Sequence, residues 1–139
     1  MTSEKLRELT SNAAENRGLH RVTEEELWET LREAVMTEMP FQPPFVVKFL
    51  IDDFPAGDVN ALERATHPYS WHEAFVFEDI FHAAFALEWV KICPRYFKER
   101  GRLVSPEVTE GERDLCGILN KYSIPFEKDE KLYTVYGWR

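Results

Sequence analysis

The chain has 139 residues, with 25 acidic and 17 basic side chains, a net charge of −8 and a pI near 5.0. That length is one ordinary domain with a core of its own, and a hydrophobic share of 44% is too high for a disordered chain. The acidity argues against a nucleic-acid partner, which requires clustered Lys and Arg, and equally against an anionic membrane surface.

In chain order, Ser3–Asn16 carries Leu6 and Leu9 at helical spacing, with Gly18 as a stop. The segment is polar, which leaves residues 1–18 free to fray. Thr23-Glu24-Glu25-Glu26 reads as a capping box, with the Thr23 hydroxyl accepting from the N–H of residue 26 and Glu26 reaching back. Leu27, Trp28, Leu31 and Val35 then form one helical stripe, and Pro40 ends the helix. Phe45–Asp52 is the clearest strand: Phe45, Val47, Phe49 and Ile51 point one way, Val46, Lys48, Leu50 and Asp52 the other. Asp53–Tyr69 reads as a long loop, and Phe77, Ile80, Phe81 and Ala84 fit a helix within Ser70–Ala84.

Leu87–Ile92 reads as a second strand, with Leu87, Trp89 and Lys91 on one face and Glu88, Val90 and Ile92 on the other. Trp89 is expected between sheet and helix. Pro94–Arg102 reads as a basic connection. Thr109-Glu110-Gly111-Glu112 is a second capping box, opening a helix through Leu115, Ile118, Leu119 and Tyr122. Ile124–Lys128 and Leu132–Tyr136 form a terminal hairpin turning at Asp129-Glu130. The expected fold is α+β: a single two-layer domain over 1–139, about four mostly antiparallel strands packed against two or three helices.

The two cysteines, Cys93 and Cys116, are too few for a disulfide framework and are expected as free thiols, with Cys116 buried as a small hydrophobe. No apolar run resembling a signal peptide opens the chain. The longest apolar-rich stretch is broken by Glu78, Asp79, His82 and Glu88, so no membrane span is expected and the cytoplasm follows by elimination.

The residues that could make a site are Asp52 and Asp53 at a strand end, and Trp71, His72, Asp79 and His82 around the ambiguous segment. No zinc-ligand spacing, nucleophile elbow or phosphate loop accompanies them, so no metal, cofactor or catalytic residue is expected. Glu88 differs, because a carboxylate sharing a strand face with Val90 and Ile92 is costly to bury without a cation. Lys48, Arg95, Arg100 and Arg102 are the candidate partners; an edge-strand charge that discourages aggregation is the plainer alternative.

The stretches Ala86-Leu87-Glu88-Trp89-Val90-Lys91-Ile92, Gly101-Arg102-Leu103-Val104, Ile124-Pro125-Phe126-Glu127 and Tyr133-Thr134-Val135-Tyr136-Gly137 resemble a family known as domain of unknown function 6678, over roughly residues 70–139. The resemblance implies a bacterial single-domain protein and supplies no catalytic residues.

Charge is unevenly spread. Residues 1–40 carry 5 basic and 9 acidic groups, 41–92 carry 3 and 8, and 93–139 carry 9 and 8. An acidic surface, surplus aromatics and absent catalytic motifs together suggest a non-catalytic, immunity-like domain that binds a basic protein, with a homodimer as a further use of the aromatics. The alternative is a small hydrolase-like enzyme using Asp52, Asp53, His72 or His82.

Overall fold

The computed structural model describes residues 3–51, 84–98, 100–105, 107–130 and 132–139. The loop and helix expected within 52–83 lie outside them. The chain runs α1 (Ser3–Asn16), α2 (Glu25–Glu38), β1 (Phe45–Phe49), a 3₁₀ turn (Ala84–Ala86), β2 (Leu87–Ile92), β3 (Arg95–Lys98), β4 (Glu107–Glu110), α3 (Glu112–Lys121), β5 (Glu127–Asp129) and β6 (Leu132–Tyr136). The protein is α+β. Its main sheet is antiparallel, in the order β1-β2-β6-β5.

Period-2 alternation gives this sheet one apolar face, and two amphipathic helices cover it. Trp28, Leu31 and Val35 of α2 and Leu115, Ile118 and Leu119 of α3 pack onto Leu87, Val90, Ile92, Tyr133 and Val135. Phe45, Val47 and Phe49 of β1 close the core at its edge. The opposite face carries a smaller cluster of Val46, Cys93 and Leu132.

The register corrects the expected faces of β2. Lys48 pairs with Trp89 but Phe49 pairs with Leu87, so Glu88 is an extra residue in β2, a β-bulge. The bulge resets the alternation, putting Leu87 with Val90 and Ile92 in the core. Trp89 is therefore half-buried rather than wedged between sheet and helix, and Lys91 Nζ lies 5.1 Å from its ring centroid. Among the described residues the fully buried tryptophan is Trp28.

Both capping boxes are corrected as well. α2 begins from Glu24 with no side-chain cap, because the Thr23 hydroxyl donates instead to the Tyr136 carbonyl (2.7 Å). Buried Thr23 thus serves the sheet, not the helix. α3 begins from Gly111, also without a side-chain cap, since Thr109 and Glu110 belong to β4. The expected basic connection contains β3, which pairs with β4 in a separate two-stranded sheet, Arg95 opposite Glu110 and Lys98 opposite Glu107. Its short strands, Arg95-Tyr96-Phe97-Lys98 and Glu107-Val108-Thr109-Glu110, lack the sustained apolar alternation that marks a strand in sequence.

Helix ends follow local rules. After α1, Gly18 (φ 66°) takes the left-handed position, Gly18 N donating to Glu15 O and Leu19 N to Ala14 O. After α3, Ser123 (φ 54°) takes the same role, and Ile124 N donates to Leu119 O, which draws Ile124 from the expected strand into the core. Polar α1 is docked by Leu6 against Phe85 and Ala86, and by Arg7, which grips Glu25 (2.7 and 3.1 Å) and lies over the Phe85 ring.

The C-terminal strand end passes close to β2. A Cβ on Gly137 would stand 2.0 Å from the Leu87 carbonyl oxygen, so only glycine fits. Gly137 N donates to Glu88 O, and its own carbonyl accepts from Val22 and Thr23. Gly137→Ala should cost about 3 kcal/mol or more, at the upper end of overpacking. Trp28→Ala should cost about 3–5 kcal/mol. Trp89→Ala should cost only about 1–2 kcal/mol, as at other partly exposed positions. Urea denaturation of the three variants checks that order.

Candidate functional site

Of the residues singled out in the sequence, Asp52, Asp53, Trp71, His72, Asp79 and His82 lie outside the described residues. Glu88 is described, and only 5% of its surface is exposed. Its strand is central, between β1 and β6, so it is no edge charge. Lys48 Nζ stands 2.7 Å from one carboxylate oxygen. The guanidinium of Arg17, at the end of α1, contacts the other as an ion pair without hydrogen-bond alignment. Lys48 was among the expected partners. Arg95 pairs instead with Glu110 (2.6 Å) and Glu112 (3.5 Å), and Arg100 bonds to the Ser105 carbonyl. Arg17 gave no sequence signal, being 71 positions from Glu88 only in the chain, not in space.

A second polar centre joins the two sheets. Glu112, at the start of α3, accepts from the Tyr133 hydroxyl (2.6 Å) and pairs with Lys128 (2.5 Å) and Arg95. The Cys116 sulfur lies 3.1 Å from the same hydroxyl, so the half-buried thiol is hydrogen-bonded and not merely a small hydrophobe. Lys128 first, then Tyr133, hold the Glu112 carboxyl below the usual carboxylate range. Burial, reinforced by Cys116 and Glu112, pushes the Tyr133 phenol far above its ordinary value. Both effects leave the tyrosine a neutral donor to an ionised acceptor.

The third centre is the outer face of α2. Its helix carries five acidic residues and one basic one. Glu25 is taken up by Arg7, Glu29 by Arg32, and Glu38 by Lys121 and Tyr122. Glu26 and Glu33 are exposed, and no ion pair engages them among the described residues. At i and i+7 they share one helix face, about 10 Å apart. Beside them a groove of about 280 Å³ is lined by Thr30, Glu33, Ala34, Thr37, Glu38 and Tyr122. The acidic bias of this third of the chain was legible in the sequence; the groove needs the packing of α2 on α3.

Among the described residues no group of three His, Cys, Asp or Glu side chains could hold a metal ion, and no helix is long and apolar enough to cross a membrane. These features define a small α+β protein with an acidic helical face and buried, charge-compensated seams. A family model described as a family of unknown function, DUF6678, matches residues 10–139, and the chain belongs to that family. The match takes in α1 from Thr10 onward and all of α2, well beyond the C-terminal half that carries the visible motifs. No curated protein and no solved structure matches the chain.

Two measurements test these centres. Glu88→Gln should cost about 1–3 kcal/mol by urea denaturation, because two cations lose their counter-charge; a cost within about 0.5 kcal/mol would place Glu88 on a solvated surface. Glu112 has a folded pKa below its unfolded value of about 4.3, so its network stabilises the fold above that value. The contribution is lost as pH falls through the folded pKa. The stability gap between wild type and Glu112→Gln should therefore be wide at neutral pH and close on acidification below the carboxylate range.

Proposed function

We propose that the chain is a bacterial protein-binding domain without catalytic activity, which takes a basic protein as its partner in the manner of an immunity protein covering a toxin. The supporting observation is the α2 face, where Glu26 and Glu33 stand exposed beside the Thr30–Thr37–Tyr122 groove. Exposed carboxylates that no ion pair engages among the described residues attract a basic partner from a distance, raise its association rate and select against acidic competitors. The groove offers a place for an inserted side chain, with hydroxyls and the Tyr122 ring to orient it. The half-buried Cys116 thiol, hydrogen-bonded to the Tyr133 hydroxyl, suits a reducing compartment, in keeping with action in the cytoplasm.

The test is cross-linking of the tagged chain in its own cells, followed by mass spectrometry, beside the Glu26→Lys/Glu33→Lys double variant. The expected partner is a basic protein whose capture falls about tenfold or more in the variant and in high salt. Equal capture by the double variant, or a captured partner that is acidic, would overturn the reading.

A further inference from the structure

The β3–β4 hairpin carries a surface of a different kind. Its tip, residues 98–105, reads Lys-Glu-Arg-Gly-Arg-Leu-Val-Ser, three bases to one acid in a chain of net charge −8. Leu103 is 99% exposed and Val104 51%, and Val108 on β4 is exposed as well. The loop is shaped, not loose: the Arg100 guanidinium donates twice to the Ser105 carbonyl (3.1 and 2.9 Å), closing the tip at its base. Val104 N turns back to Gly101 O, and Gly101 (φ 135°) takes a backbone that other residues resist. Two exposed apolar side chains on a braced loop that also carries exposed Lys98 and Arg102 mark an interaction surface. Its occupant must be acidic, with room for a leucine.

The molecule holds such a surface on α2. The unpaired Glu26 and Glu33 complement Lys98 and Arg102, which form no ion pair among the described residues, and the Tyr122 groove has the size to take an aliphatic side chain. The hairpin root adjoins the C-terminal end of α2, where Tyr96 stacks near Phe41 (6.3 Å) and Gly111 lies against Phe41 and Met39. We propose that the tip docks on α2 of a second copy of this chain, each copy giving one tip and one helix in a two-fold exchange. Such reciprocity is what an isologous dimer requires. The net charge of −8 repels an anionic bilayer, which favours a protein occupant over a membrane. The inference rests on the α2 face being the binding surface, and it makes the dimer a closed form that a basic partner must open.

The test is sedimentation equilibrium of the full chain. Dimer is expected at roughly 10–100 µM, as for a small interface, and should dissociate at about 0.5 M salt. Leu103→Asp and Lys98→Glu/Arg102→Glu should each weaken it about tenfold or more while leaving the circular dichroism spectrum unchanged. The decisive arm mixes Lys98→Glu/Arg102→Glu with Glu26→Lys/Glu33→Lys. Each is monomeric alone, having like charges at both contacts, and the mixture restores the dimer. A wild type that stays monomeric throughout the range, a dimer indifferent to the tip variants, or a mixture that stays monomeric would overturn the proposal. So would a monomer whose tip binds phosphatidylglycerol vesicles in a Leu103-dependent way. Partner capture in cells is read separately, so loss of the α2 binding function and loss of the tip contact are told apart.

Discussion

The structure depends on one close backbone crossing. At Glu88 the chain of β2 bulges, and Gly137 N donates to the Glu88 carbonyl at 2.8 Å, with Trp138 N following at 3.3 Å. Only a residue without a side chain can come so near Leu87. Through the Gly137 carbonyl the same crossing anchors Val22 and Thr23, and through Thr23 it reaches Tyr136. The joint between the two N-terminal helices is thus tied to the last strand. His20 and Arg139 exchange two backbone hydrogen bonds beyond it, so the α1–α2 connection and the last residue meet at this seam.

Glu88 adds charge to this seam. A carboxylate removed from water needs compensation, and it receives two cations from opposite directions, Lys48 across the sheet and Arg17 from α1. Because Lys48 and Arg17 stay partly in solvent, 35% and 47% exposed, their own desolvation is small. Besides compensating the carboxylate, the arrangement locates α1 on the sheet. Glu112 does comparable work at the other end. It gathers Arg95 from β3, Lys128 from β5 and Tyr133 from β6 at the first turn of α3, where a negative charge also suits the helix dipole. A two-stranded ribbon such as β3–β4 has little stability alone, and this node attaches it to the core.

What remains outside these seams is segregated charge. Acid collects on α2, while base and exposed aliphatic side chains collect on the β3–β4 tip. Neither contributes to the core: the α2 acids lie opposite its buried stripe of Trp28, Leu31 and Val35, and the tip lies beyond a ribbon with no buried residue. That division of labour, packing on one side of an element and chemistry on the other, is what makes the two surfaces candidates for recognition.

Local pattern was enough for much of the fold. Alternation in Phe45-Val46-Val47-Lys48-Phe49 and in Leu132-Tyr133-Thr134-Val135-Tyr136, and the stripes Trp28-Leu31-Val35 and Leu115-Ile118-Leu119, are properties of neighbours in the chain, so strands, helices and core were readable from them. The sequence also offered a buried, paired Glu88 beside the plainer reading of an edge-strand charge, and it determined that the first two thirds would be acidic. Only the tertiary structure decided which cations Glu88 received, because Arg17 reaches it through the docking of a helix. It decided the face of Trp89, because a bulge of one residue inverts every side chain on one side of it. It decided that Thr23 bonds to a strand, since a buried hydroxyl takes the acceptor that packing presents rather than the one nearest in sequence. And it made β3 and β4 a sheet, because a charged ribbon is recognised by its hydrogen bonds and not by its hydrophobicity.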